Sequence, residues 1–333
     1  MATEARGIIA ILEPAAGPTL TAEVLGVARR LGNDFSEPVT AVVLGGPQVG
    51  TGPLWELGAD KVIRVVHPLL ELFNLDAAVN ALEALLRREN PNVVLMAHTF
   101  QGRALGPALA FRLQTGVATD CVDLRTDAHQ DRSVVLTRSI LGGNFRAEIV
   151  IETRPQVVTL RPKAFSPAEP EAGRTGTEEE FTPELDPARI RQEVRRRVQE
   201  APTEGVRLED ARIVVAGGRG LGGPENWYLI EELAKALGAA VGASRAVTDA
   251  GWVPTSLQVG LTGKTISPDL YIAVGISGAV QHMAGVSSAK TIVAINKDPD
   301  ATIFKYARFG VVGDAKQILP ALIREVKKAL GKE

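Results

Sequence analysis

Leu270 to Phe304 reads LYIAVGISGAVQHMAGVSSAKTIVAINKDPDATIF. The run LYIAVG is apolar at nearly every residue, as expected of a strand covered by helices on both faces of a parallel sheet. It ends at Gly275. Ser277, Gly278 and Ala279 are then expected to open a helix, whose first turn would offer backbone N–H groups to an anion. Val280, Gln281 and His282 follow on that turn. TIVAIN is the next strand and ends at Asn296, whose amide suits a purine or a ribose. Ser277, Gln281, His282 and Asn296 thus fall at the carboxyl ends of two parallel strands, where open α/β sheets place ligands.

Upstream, VVAGGRGLGG spans Val214 to Gly223 and fits G-x-G-x-x-G at Gly218, Gly220 and Gly223. A dinucleotide site also needs an acidic residue about 20 positions on, at the end of the second strand. Here that strand, AAVGAS, runs into Ser244 and Arg245. The helix opens with Pro224, Glu225 and Asn226, and a glutamate is a poor neighbour for a pyrophosphate. An anion-binding turn in which Arg219 reaches a phosphate and a plain strand-to-helix turn both remain open. An NAD-dependent oxidoreductase built on GRGLGG is the alternative function.

QVGLTGKT, Gln258 to Thr265, matches the phosphate-loop pattern except that Gln258 stands in place of its first glycine. Without that glycine the tight turn around phosphates is not assured, and nucleotide hydrolysis is not expected. Val259, Gly260, Leu261 and Thr262 still offer small residues, free N–H groups and a hydroxyl, suited to wrapping a planar ring or its phosphate tail.

The same grammar extends outward. Strands ARIVVAGG, AAVGAS and FGVVGD, with helices at Asn226–Leu237 and Ala315–Leu330, complete a C-terminal α/β unit. In the N-terminal part, GIIAILE, VTAVVLGG, KVIRVV and NVVLMAH alternate with helices at Thr19–Leu31, Leu75–Arg88 and GRALGPALAFRL, the last interrupted by Pro107. VDLRTD, SVVLTRSIL, AEIVIET and QVVTLRP then follow one another closely and read as an antiparallel extension of that sheet. Residues 162–187 are rich in Pro, Glu, Gly, Thr and Ser and read as a polar connector. EVRRRVQEAP adds an edge strand or a short helix, and the run Arg195 to Arg197 is a solvated face. The fold expected is two α/β domains, 1–205 and 206–333. The first is mostly parallel with an antiparallel extension, and the second is Rossmann-like.

The 333 residues carry a net charge of −2, so no basic excess points to nucleic acid or an anionic membrane. The single cysteine, Cys121, permits neither an internal disulfide nor a paired-cysteine metal site. No transmembrane run and no targeting segment is evident, and a cytoplasmic location is expected.

The C-terminal part resembles the α (large) subunit of electron-transfer flavoproteins. The resemblance rests on GGRGLGGPEN, AAVGASRAVTDAGWVP, QVGLTGKTISPDLYIAVGISGAVQHMAG and TIVAINKDP, which stand in the family's order. AHTFQGRALGPALAFRLQTGVATDCVDL and RSILGGNFRAEI extend it more loosely into the N-terminal part. The resemblance implies an extended FAD in the second domain. It places Arg219, Ser244, Thr262, Ser277, Gly278, Ala279, Val280, Gln281, His282, Asn296 and Asp314 at FAD-contacting positions, with Arg245 beside the flavin ring. Val259, Gly260, Leu261 and Ala315 join this set, although the family's pattern has Gln where Leu261 stands. It also implies a heterodimer with a β subunit that carries AMP, or a second FAD in electron-bifurcating members. The pair would take electrons from flavin dehydrogenases, such as the acyl-CoA dehydrogenases of fatty acid β-oxidation, and pass them to a quinone oxidoreductase or another acceptor. That is an electron carrier rather than a stand-alone enzyme, with no catalytic side chain and no metal.

Overall fold

The computed structural model describes residues 4–127, 132–141, 145–195, 207–209, 211–286 and 289–332. The chain divides into two compact units, Met1–Ile140 with Phe145–Gln199 and Leu141–Asn144 with Glu200–Glu333. Both are α/β. The segment 196–206, which holds most of EVRRRVQEAP, part of the arginine run and the expected boundary at 205/206, lies outside the described residues.

The first unit contains β1 Ile8–Leu12, α1 Pro18–Phe35, β2 Val39–Gly45, β3 Lys61–Val66, α2 Leu75–Glu89, β4 Val93–Ala97 and α3 Phe100–Leu113. It continues with β5 Val117–Thr126, β6 Val134–Ile140, β7 Phe145–Val150, β8 Gln156–Leu160 and β9 Thr177–Phe181. The sheet order is β7-β6-β5-β8-β4-β1-β2-β3-β9. β1, β4 and β8 are buried along their whole length because helices cover both faces. The helix starts are capped by short polar side chains, with Asn74 accepting from the Ala77 N–H and Thr99 from the Gly102 N–H.

Three expectations for this unit are corrected. α3 runs unbroken through Pro107. That residue is exposed, so the carbonyl it leaves without an N–H donor can face water. β5, β6 and β7 form the antiparallel extension, but QVVTLRP does not join it. As β8 it enters between β4 and β5, parallel to both. The polar connector is tied to the sheet. Lys163 N–H donates to Glu23, Ala168 N–H to the Ala22 carbonyl, and β9 pairs with β3 as the edge strand.

The second unit contains β10 Ile213–Gly217, α4 Tyr228–Leu237, β11 Ala240–Ala243, α5 Arg245–Asp249, β12 Leu270–Val274, α6 Val280–Met283, β13 Thr291–Asn296, β14 Phe309–Val312 and α7 Ala315–Ala329. All five strands are parallel, in the order β11-β10-β12-β13-β14. Val214 and Ala216 face one apolar cluster with Tyr271 and Met283, while Val215 faces the other with Leu233 and Leu319. This two-sided burial is why the strand sequences are continuously apolar rather than alternating.

Candidate cofactor site

Every expected site residue lies beyond, or at, the carboxyl end of a strand in the second unit. Arg219 follows β10, Ser244 and Arg245 follow β11, and Ser277 to His282 follow β12. Asn296 ends β13, and Asp314 and Ala315 follow β14. The segment 258–264 is laced into this edge. Val259 N–H donates to the Ala243 carbonyl at 2.9 Å and Leu261 N–H to the Gln281 carbonyl at 2.7 Å. A Cβ on Gly285 would lie 2.5 Å from Gly260 N, so these backbones meet directly.

The backbone donors discriminate between the three glycine-rich segments. In the first, Gly218 N–H donates to the Val274 carbonyl and Gly220 N–H to the Gly275 carbonyl. A Cβ on Gly220 would come within 2.7 Å of Gly275 Cα. These glycines let two strand ends touch at the point where the sheet order reverses, and their N–H groups are already used. The NAD reading thereby loses two of the donors its phosphate cradle would use. The second segment offers less than its sequence suggests. Besides Val259 and Leu261, Gly260 N–H donates to the Lys264 carbonyl, Gly263 N–H to Gly260, and Lys264 N–H to Gln258. Lys264 pairs with Glu209. The expectation of a loop rich in free N–H groups is corrected, because the turn consumes those of Val259, Gly260, Leu261, Gly263 and Lys264; Thr262 remains exposed.

The third segment differs. Its helix is the single turn α6, preceded by Gly278 at φ +82°, so the expected helix start at Ser277 is corrected too. The tight approach of Gly278 to the Ile303 backbone prevents a regular turn there. In consequence, the N–H groups of Ser277, Gly278, Ala279, Val280 and Gln281 donate to no protein acceptor among the described residues. Ser277, Ala279, Val280 and Gln281 are exposed. A run of unpaired donors, most of them on exposed residues, at a sheet's carboxyl edge suits an anion.

His282 is buried. Its Nε2 lies 2.7 Å from the Tyr271 hydroxyl, and its Nδ1 is enclosed without a hydrogen-bond partner. Burial pushes its pKa down to about 4, only partly offset by the Val259 backbone, so the ring is neutral at pH 7. Asn296 gives its Nδ2 to the Ile276 carbonyl at 2.9 Å and accepts Asp298 N–H on Oδ1, so its amide braces the loop after β12. Asp314 caps α7 by accepting Lys316 N–H, and Ala315 is buried beneath it. Ser244 is buried and leads into α5. Arg245 is exposed and holds Asp249 through Nε at 3.0 Å, and among the described residues both terminal nitrogens of its guanidinium are unengaged. Arg219 is exposed.

A family model described as the electron transfer flavoprotein FAD-binding domain matches residues 207–287, and one described as the electron transfer flavoprotein domain matches residues 16–186. The chain is 44% identical to the electron transfer flavoprotein subunit alpha of Thermoanaerobacterium thermosaccharolyticum, over 92% of each chain. It is 40% identical to that of Bacillus subtilis over 93% of each, and 41% identical to that of Megasphaera elsdenii over 98% of each. The chain belongs to the electron-transfer flavoprotein alpha-subunit family.

The residues present fit the flavin that the family's domain description implies. An electron-transfer flavoprotein alpha subunit needs a cradle for a charged pyrophosphate and an apolar rest for a ring. The donor run at Ser277 to Gln281 has the chemistry suited to the first. For the second, Leu261 and Val280 are 59% and 53% exposed on the two laced loops, apolar surface open to a planar ring. Among the described residues, no group of His, Cys, Asp or Glu is disposed to hold a metal ion, and no helix is long and apolar enough to cross a membrane. Sequence reasoning missed Tyr271, the partner of His282. Tyr271 sits in a strand and reads as core, and nothing local announces its hydroxyl's partner.

Proposed function

We propose that this chain is the FAD-binding subunit of a heterodimeric electron carrier in which a β subunit carries AMP or a second FAD. The carrier accepts electrons from flavin dehydrogenases such as acyl-CoA dehydrogenases and delivers them to a quinone oxidoreductase or similar acceptor. The observation that carries this reading is the run of N–H groups from Ser277 to Gln281, unpaired among the described residues, beside exposed Leu261 and Val280.

In this reading the bound flavin supplies the electron chemistry, and the chain's residues bind and tune it. Ser277 to Gln281 would take the pyrophosphate charge on backbone donors, with the exposed Arg219 adding a cation. The exposed Leu261 and Val280 side chains would rest against the ring and keep water from it. Arg245, with two free nitrogens, would set a fixed positive charge nearby. His282 contributes a neutral ring rather than an imidazolium. Ser244, Asn296, Asp314 and Ala315 serve by holding the loop ends in place.

Co-purification with the β subunit tests the reading. The complex should be yellow, should contain FAD, and should be reduced by a dehydrogenase with its own substrate. One FAD per heterodimer identifies a simple carrier and two identify a bifurcating one. A colourless complex that binds NAD would overturn it.

A further inference from the structure

In the first unit the sheet order reverses between β1 and β4. β2 and β3 lie on one side of β1, and β4, next in the chain, lies on the other. α1 leaves after β1 and α3 after β4, and they pack on opposite faces, Leu25 in one apolar cluster and Leu105 in the other. Open α/β sheets hold their ligands in the crevice at such a reversal. Here Glu13, directly after β1, reaches across it. Its Oε1 accepts the Thr99 hydroxyl, directly before α3, at 2.5 Å. Thr99 Oγ1 in turn accepts Gly102 N–H at 3.1 Å, and Gly102 N–H also meets the Glu13 carboxylate. The carboxylate is thereby seated on the first turn of α3, where the N–H groups of Phe100 and Gln101 donate to no protein acceptor among the described residues. Burial holds the Glu13 pKa above the usual carboxylate range, and the bonds from Thr99 and Gly102 offset only part of that. The charge therefore costs stability at neutral pH rather than adding to it.

We propose that Glu13 is the built-in anion of the first unit: its carboxylate closes the crevice between β1 and β4, so this unit excludes a phosphate-bearing ligand from the place where its fold would hold one. The second unit supplies the contrast. Its sheet order reverses in the same way, between β10 and β12. Gly218 and Arg219 follow β10 where Glu13 follows β1, and Gly275 to Ser277 follow β12 where His98 and Thr99 follow β4. One crevice thus holds a carboxylate already hydrogen-bonded across it. The other has a glycine and a cation in that position, beside a run of unpaired donors.

Exclusion follows from charge. A phosphate brought to the first turn of α3 meets an ionised carboxylate, and to displace it the ligand must break the Thr99 bond. Specificity of this kind is built by placing a repulsive group against the unwanted ligand. Glu13 decides between the two crevices by repulsion, and this role does not rest on the flavin reading.

The test uses the complex with the β subunit, with only this chain labelled with nitrogen-15, so phosphate taken up by the other subunit does not register. Inorganic phosphate is titrated at constant ionic strength while the amide signals of Phe100, Gln101 and Gly102 are followed by NMR. They should stay in place in the wild type. In Glu13→Gln and Glu13→Ala they should shift saturably, with a Kd at least about tenfold below any wild-type value, as expected when one like charge is removed. Adding Arg103→Ala, which removes the exposed cation of that turn, should weaken the gain. Phosphate shifts of equal size in the wild type and both variants would overturn the exclusion, and so would their absence in variants whose other signals are unchanged. A second measurement needs no ligand. In the wild type, the Phe100 and Gln101 signals should follow the titration of Glu13 at its raised pKa, and this inflection should vanish in Glu13→Gln. His98 and Arg103, the other charged or titrating side chains there, are untouched in that variant. No inflection in the wild type, or one that persists in Glu13→Gln, would unseat the carboxylate and overturn the proposal.

Discussion

Arg245 is bonded to Asp249 by one nitrogen and exposed on the rest of its guanidinium. If it stands beside the flavin, its charge stabilises added negative charge on the ring. Two unit charges about 4 Å apart interact by about 4 kcal/mol at an effective dielectric near 20, and solvent exposure reduces this to roughly 1 kcal/mol. Arg245→Ala should lower the first one-electron potential of the flavin by about 40 mV, and Arg245→Lys should recover part of the loss. Spectroelectrochemical titration reads both. An unchanged potential would leave Arg245 as a surface ion-pair residue. His282 makes a second prediction, free of ligand. Its pKa lies near 4 when folded and at 6.5 when not, so the unfolded chain binds the extra proton between those values. Its contribution is complete above pH 6.5 and is lost as pH falls towards 4, by about 3 kcal/mol at most. Urea unfolding of wild type should weaken across that window more than that of His282→Gln; parallel pH profiles would refute it. Gly220 makes a third. Its Cα packs on Gly275, so Gly220→Ala should cost about 1–3 kcal/mol in the ligand-free chain. A glycine kept for phosphate approach alone would cost nothing there.

Among the elements, β9 shows how a polar segment becomes part of a sheet. Its sequence, TEEEF, has little apolar content, yet it pairs with β3, whose Lys61 and Arg64 face it. Lys61 and Arg88 both meet Glu179 at 2.7 Å, and Arg64 holds Glu178 and Glu180. The Lys61 hydrogen bond, with Arg88 behind it, keeps the Glu179 carboxyl below the usual carboxylate range. This contribution is present at neutral pH and is lost as pH falls through that lowered value. Both partners are about one-third exposed, so the Lys61–Glu179 coupling should be roughly 0.5–1 kcal/mol in a double-mutant cycle, and smaller in 1 M salt. A coupling indifferent to salt would contradict this account. A composition typical of linkers misled the sequence reading, because the partner charges on β3 lie more than a hundred residues away and Arg88 about ninety. The same holds for the loop 258–264. Its glycines and hydroxyl are legible, but which N–H groups are spent depends on Ala243 and Gln281.

At the scale of the whole molecule, each unit has its own apolar clusters on both faces of its own sheet. The three tryptophans divide between them, Trp55 in the first and Trp227 and Trp252 in the second. Ligand binding stabilises the state that binds, by about 2.7 kcal/mol at a hundredfold excess over Kd. In single-tryptophan variants with the β subunit present, added FAD should raise the unfolding midpoint reported by Trp227 more than that reported by Trp55. Equal shifts, or a shift at Trp55 alone, would move the flavin out of the second unit. The sequence by itself determined the α/β class, the mostly parallel strands of two sheets and the strand ends on which the candidate residues fall. Burial on both faces writes itself into continuous apolar runs, and glycines mark the strand ends. Only the tertiary structure decided that β8 returns into the sheet, that β9 closes its edge and that His282 is neutral. It alone showed that, among the described residues, the first two glycine-rich segments spend most of their donors while the third keeps a continuous run of them. Hydrogen bonds are pairwise, and a residue's own sequence neighbourhood does not contain the acceptor that claims its proton.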